Sequence, residues 1–180
     1  MTPPVILETE RLRLRPFRED ERERFAALNA DPDVGVWLGG VLSREQSDIA
    51  FDRTCAHIAE QGFGLWAVER KADRVMIGQA GLDEVPDDLP PAPAVEMSWR
   101  LFPDAWGQGY ASEAAAAALT WGLANLLDAR IVAFTTRSNR RSEGVMRRIG
   151  LIRSPSLDFE HPRLAQGHPL RSHIVYVARR

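Results

Sequence analysis

The sequence predicts a mixed α/β (α+β) fold in which paired strands predominate and helices flank the sheet. Three observations carry this expectation. Several short runs alternate apolar and polar residues at strand period, with turn residues between them. Two segments, opening near Ser43 and Asn139, begin with helix-capping residues and carry apolar side chains at helical spacing. Between them lies a strand, a glycine turn and an alanine-rich helix over 95–127.

Composition narrows the classes. The 180 residues are 44% apolar and include 7 Phe, 5 Trp and 2 Tyr, which argues for a packed core over disorder. The length suits one domain, read as 1–180. Basic residues number 23 and acidic 25, for a net charge of −2, which excludes a strongly basic nucleic-acid binder. Lys71 is the sole lysine; every other basic residue is Arg. Cys55 is the one cysteine, so no internal disulfide forms, and a reduced compartment fits. No run approaches the roughly 18 apolar residues of a membrane span. Met1–Pro4 lacks the basic flank and apolar core of a signal peptide. The expectation is a soluble, cytoplasmic protein with neither nucleic acid nor membrane as partner.

In chain order, Glu10–Pro16 alternates apolar and charged residues and reads as a half-buried edge strand. Residues 20–29 read as a short helix that Asp31-Pro32-Asp33 breaks. Ser43 and Gln46 have capping-box spacing and open a helix to about Gln61, stopped by Gly62. Strands at about 63–69 and 75–82 are joined by Lys71–Arg74. Residues 83–94 hold four prolines and four acids and form a loop. Val95–Leu101 is a strand with Val95, Met97, Trp99 and Leu101 on one face and Glu96, Ser98 and Arg100 on the other. A helix runs to about Leu127, a strand spans Ile131–Thr136, and a helix from near Asn139 ends at Gly150. Strands at about 151–159 and 173–178 flank a loop with Pro162, Gly167 and Pro169.

Gly107-Gln108-Gly109 opening a helix is the most informative feature. A helix N-terminus presents unpaired N–H groups and partial positive charge, which suits a phosphate. Glycines let the backbone approach it, and a tight turn feeding a well-packed helix is the bland alternative. A P-loop needs a loop lysine, which is missing. A Rossmann turn needs a third glycine where Ser112 stands, and an acid after the next strand where Thr136-Arg137 stands.

The string Pro103-x-x-Trp106-Gly107-Gln108-Gly109-Tyr110-Ala111-Ser112-Glu113-Ala114 closely resembles the coenzyme A turn of the GNAT N-acetyltransferases, in their RimJ/RimL-like branch. Trp106 replaces the Gln or Arg of the wider family. Thr9–Pro16, Ile77-Gly78-x-x-Gly81, Val95–Met97 and Asn139-x-x-Ser142 with Gly150-Leu151 resemble other parts of that branch, in order. The resemblance implies a GNAT fold, with a largely antiparallel central sheet whose strands at 95–101 and 131–136 splay to admit CoA. It implies direct transfer of an acetyl group from acetyl-CoA, with no metal, to a primary amine, either a protein N-terminus or a small molecule. By the same resemblance CoA is bound by Met97, Trp99, Leu101, Trp106, Gly107, Gln108, Gly109, Tyr110, Ala111, Ser112, Asn139 and Ser142. A homodimer stays open.

An attacking amine must be neutral, and a lysine-type amine of pKa about 10.4 rarely is at pH 7. Glu96 is the candidate general base, and a sheet-surface Glu paired with Arg is its alternative. The oxyanion donor is expected to be a backbone N–H on Met97–Leu101. Met146 stands where many family enzymes place a tyrosine acid. Ser142 is the candidate donor to the leaving sulfur, or a first-turn residue serving the backbone. Asn139 is a pantetheine contact or an N-cap. Six arginines from Arg137 to Arg153 face only Glu143, a local charge of +5, and one or two of them suit the CoA phosphates. His161, His168 and His173 have irregular metal-ligand spacing, and Glu160 or His161 is an alternative base. The loops at 30–42, 83–94 and 160–172 are expected to shape the acceptor pocket, with the acids at Asp83, Glu84, Asp87 and Asp88 favouring a cation. A non-catalytic acyl-CoA sensor and a Rossmann-like NADP enzyme are the competing functions.

Overall fold

A computed structural model describes residues 3–179. Met1, Thr2 and Arg180, which include the start of the segment read for a signal and both ends of the expected domain, lie outside the described residues. The chain builds one sheet in the order β1 (Leu7–Glu8), β2 (Leu12–Arg15), β3 (Leu65–Arg70), β4 (Val75–Glu84), β5 (Val95–Leu101), β6 (Ile131–Thr136), β9 (Ser172–Val177) and β7 (Ile152–Arg153). A short β8 (Phe159–Glu160) also pairs with β9. All neighbours are antiparallel except β5 and β6. The helices are α1 (Arg22–Ala30), a one-turn α2 (Pro32–Gly35), α3 (Arg44–Gln61), α4 (Tyr110–Asn125) and α5 (Arg140–Arg148).

Strand alternation places the layers. Leu12, Leu14, Trp66, Val68, Ala80, Leu82 and Met97 are buried on one sheet face, under α4. That helix meets the sheet through Ala114, Ala115, Ala118 and Gly122. A Cβ on Gly122 would lie 2.8 Å from Leu82 Cδ1, so the thin side of α4 is a packing requirement. On the opposite face, Phe17, Phe25 and Phe51 pack edge to face between α1, α3 and the sheet. There Arg15, 5% exposed, is paired with Glu21 at 2.6 Å and Glu69 at 2.7 Å.

The caps behave as their residues predict. Ser43 and Gln46 form the capping box of α3, and Gly62 ends it at φ 80°. Asp31 does more than break α1: its side chain accepts from the N–H groups of Asp33 and Val34 and starts α2. Two expectations change. The strand at 12–15 is not an edge, because β1 pairs along it through Leu7↔Leu14 and Glu8↔Arg13. The strand expected over 151–159 is broken into β7, a 3₁₀ turn at Pro155–Leu157 and β8, since Pro155 cannot donate to a ladder. No helix among the described residues is long and apolar enough to cross a membrane.

Candidate active site

The parallel β5–β6 ladder holds only Val95↔Ile131 and Glu96↔Val132, although both strands continue. Beyond Glu96 they part, and a cavity of about 1020 Å³ opens between them. Val95 N–H donates to Arg130 O, so by strand alternation the N–H groups of Met97, Trp99 and Leu101 also face the β6 side. Trp99 lies past the end of that ladder and lines the cavity.

At one end of the cavity is the glycine turn. Gly107 adopts φ 73° and Gly109 φ 84°, left-handed values that favour glycine. A Cβ on Gly107 would meet nothing within 4 Å, so the space beside it is open. Gly109 is the N-cap of α4 and supplies no capping side chain, which leaves the first helical N–H groups, from Tyr110 to Ser112, facing the turn. Arg11 pins the turn from β2's leading loop. Its guanidinium donates to Gln108 O at 3.0 Å, pairs with Glu113 at 2.6 Å and lies 4.5 Å from the Tyr110 ring centre. Thr9 Oγ1 donates to Glu113 at 2.6 Å. The Thr9–Arg11 stretch read as strand sequence thus braces the turn, a role that rests on a pairing 102 residues away. Trp106 Nε1 donates to Leu101 O at 2.8 Å, closing the turn where the wider family carries Gln or Arg.

Helix α5 forms the next wall. Asn139 caps it, with Oδ1 accepting from Ser142 N–H at 3.2 Å, and both residues line the cavity. Ser142 Oγ has no partner among the described residues. Glu143 takes up Arg140 and Arg147, and Asp158 takes up Arg137 and Arg153. The remaining pair turns toward the glycines: Arg141 stacks 4.8 Å from the Trp106 ring centre and Arg148 donates to Ser112 Oγ at 3.0 Å. Met146 is buried at 1% exposure.

At the other end, Glu96, Ser98 and Arg100 share a sheet face with Asp83 and Gln79, the register partners of Glu96 and Arg100 on β4. Glu96 is half-buried, and its carboxyl is pushed up to about 8, chiefly by burial, with the Asp83 charge adding and Arg100 opposing. Val34, Trp37, Leu38 and Phe134 add apolar lining to the same cavity.

The cavity gathers Glu96, Met97, Trp99, Leu101, Trp106, Gly107, Gly109, Tyr110, Ala111, Ser112, Asn139 and Ser142. Gln108 is exposed and outside the lining, its side chain turned back to donate to Asp104 O at 2.8 Å. Of the three loops expected to shape the acceptor end, only 30–42 lines it. The other two are clamped to each other by Arg163–Asp88 at 2.6 Å. Glu160 pairs with Arg171, and His161 and His173 lie 5.1 Å apart behind Phe134, so neither Glu160 nor His161 reaches the cavity as a base. No group of three or more His, Cys, Asp or Glu side chains among the described residues is arranged to hold a metal. Arg100 and Gln79 were missed as site residues, and Arg141 was not singled out among the six arginines nor Trp37 within the 30–42 loop, because their place follows from strand register and helix packing.

Residues 11–152 match the family described as the acetyltransferase (GNAT) domain. The chain is 29% identical over 158 residues to the Bacillus subtilis (strain 168) protein YkkB, covering 87% of this chain and 91% of that one. It superposes on the acetyltransferase from Agrobacterium tumefaciens str. C58 with TM-score 0.79 and 27% identity, covering 100% of this chain and 97% of the other. It also shares its fold with RimL, the ribosomal L7/L12 alpha-N-protein acetyltransferase in complex with coenzyme A, at TM-score 0.75, 18% identity and 97% coverage of both chains.

Proposed function

The chain belongs to the GNAT acetyltransferase family, and from that premise we propose that it is an acetyl-CoA-dependent N-acetyltransferase acting on a primary amine by direct attack. The domain that does this spans 1–180. One observation carries the reading: the parted β5–β6 pair joins an uncapped helix N-terminus and a high-pKa carboxylate in one cavity.

Each end of the cavity then has a task. Gly107, Gly109 and the N–H groups of Tyr110, Ala111 and Ser112 hold the CoA pyrophosphate, with Gln108 contributing backbone only. Arg141 and Arg148 add charge to the same end. Met97, Leu101, Trp106 and Asn139 line the path of the pantetheine arm. The Trp99 N–H, beyond the ladder, donates to the oxyanion of the tetrahedral intermediate. Glu96 takes the proton from the incoming ammonium, directly or through water, and its pKa near 8 suits that task at neutral pH. The leaving thiolate has a reference pKa of about 8.5 and departs without a tyrosine acid, aided by a hydrogen bond from Ser142 Oγ. Within the family, the Trp-Gly-Gln-Gly-Tyr-Ala string favours the RimJ/RimL-like branch.

The test is a calorimetric titration with acetyl-CoA, followed by free-CoA release with N-terminal peptides, polyamines, aminoglycosides and simple amines. Binding with turnover is the expected result. Binding without turnover on any amine favours an acyl-CoA sensor, for which the buried Met146 in the acid position is the supporting observation. Binding of NADP in place of acetyl-CoA removes the proposal.

A further inference from the structure

The acceptor end carries an arginine that no carboxylate among the described residues pairs with. Arg100 lines the cavity from β5, on the face shared with Glu96 and Ser98. Its Nη1 donates to Asn29 Oδ1, a neutral amide oxygen, and among the described residues no carboxylate lies within ion-pair distance of the guanidinium. Several arginines elsewhere in the fold contrast with it: Arg15, Arg22, Arg44, Arg140 and Arg147 each hold a carboxylate. A guanidinium has five N–H donors, so most of the Arg100 fork is uncommitted. Burial holds its pKa down to about 10, against the pull of Glu96, and it stays charged at neutral pH. A desolvated charge without a counterion is costly unless a ligand supplies one.

The fork is also fixed in place. Asn29 is 2% exposed and its Nδ2 donates to Ser47 Oγ at 3.0 Å, so a buried α1–α3 pair orients Arg100. Gln79 stands directly opposite Arg100 in register, lines the same cavity and is 6% exposed, and its Oε1 has no hydrogen-bond partner among the described residues. The face therefore offers an anion-seeking fork at Arg100, an unfilled acceptor at Gln79 and an anionic or basic group at Glu96. Around them Val34, Trp37, Leu38 and Phe134 give an apolar wall.

We propose that the acceptor is an amino carboxylate with an apolar side chain, its carboxylate held by Arg100 and its amine presented to Glu96. The inference rests on the acetyl-transfer reading and adds a substrate class to it. The ammonium is drawn by Glu96 and the Gln79 Oε1, the carboxylate pairs with the guanidinium, and the side chain lies against Trp37, Leu38 and Phe134. Polyamines and aminoglycosides fit poorly, because their further cations meet Arg100. A peptide N-terminus brings only a neutral carbonyl to the same fork.

Acetyl transfer is measured with leucine, leucinamide and 3-methylbutylamine, which share the side chain and differ in the carboxylate, and with spermidine. The parent protein is expected to prefer leucine over leucinamide and over 3-methylbutylamine by at least tenfold in kcat/KM, with spermidine poorer still. Arg100→Gln is expected to lower the leucine-to-amine ratio at least tenfold, and Arg100→Lys, which keeps charge without the fork, to fall between. Equal use of leucine and leucinamide by the parent, or equal losses on all amines in Arg100→Gln, overturns the proposal. Equilibrium binding of leucine in the presence of CoA gives a readout independent of turnover. At least tenfold weaker binding in Arg100→Gln supports the carboxylate site even if no amine is acetylated, an outcome that would sink only the acetyl-transfer reading. Unchanged leucine binding in the variant overturns the site.

Discussion

Replacing Glu96 by Gln tests the proposed base through the shape of a pH profile. Glu96 is pushed up to about 8. The parent needs the ionised carboxylate, so its kcat/KM should climb with pH and level off near 8. The Gln variant has no base and depends on amine that is already neutral. With an acceptor whose amine titrates near 10.4, its profile should keep climbing to about 10.4. General-base catalysis contributes about 10²–10⁴-fold, so that is the deficit expected below pH 8. Between about 8 and 10.4 the variant gains roughly 250-fold on a parent that has levelled off, and the deficit narrows accordingly. Asp83→Asn removes the like charge opposite Glu96 and should move the parent's break to lower pH. Initial rates of CoA release from pH 6 to 10.5, with acetyl-CoA saturating, give all three profiles. A Gln variant within threefold of the parent at pH 7, or one that breaks at the same pH, would refute the assignment. Stability gives a second check. The pKa raised from 4.5 means that the folded protein holds more protons than the unfolded chain between 4.5 and about 8. The contribution of Glu96 to stability is therefore best below about 4.5 and is lost as pH rises through about 8. At pH 9 the Gln variant should be more stable than the parent by on the order of 1–3 kcal/mol once partial exposure is allowed for, read as a higher melting temperature, and at pH 4 the two should coincide.

Three further outcomes follow from the same geometry. Gly107→Ala, at φ 73° with open space beside the Cβ, should cost about 1–2 kcal/mol of stability by chemical denaturation. It should weaken acetyl-CoA binding more than tenfold, since the methyl fills the phosphate approach. Arg148→Ala should raise the dissociation constant for CoA severalfold in low salt and lose that effect as ionic strength rises, read by titration calorimetry at two salt concentrations. Glu69→Gln leaves the buried Arg15 with Glu21 alone and should lower stability by about 3–5 kcal/mol, seen as a lower melting temperature while acetyl-CoA still binds the folded fraction.

Local signals were legible where one segment supplies its own physics. The box of Ser43 and Gln46, the stop at Gly62, the alternation of Val95–Leu101 and the glycines at 107 and 109 all act within a few residues, and each appears where the sequence places it. The GNAT turn was legible for the same reason. Sequence alone saw a +5 segment after β6 but could not sort its arginines. The sorting depends on Glu143 from the helix itself and on Asp158 from a later turn, which between them pair with four and leave Arg141 and Arg148 at the cradle.

The sequence by itself determined most of the elements, the capping box at Ser43, the glycine turn and the family. Tertiary structure decided which polar groups are left over. Arg100 and Gln79 look like ordinary sheet residues in the chain, and the loops at 83–94 and 160–172 look like natural walls for an acceptor. Only packing shows that those loops hold each other through Arg163 and Asp88, and that Arg100 meets a neutral Asn29 where a carboxylate would satisfy it. The reason is physical: a cap or a turn is satisfied by near neighbours in the chain, whereas burial and charge pairing are sums over neighbours that only folding brings together.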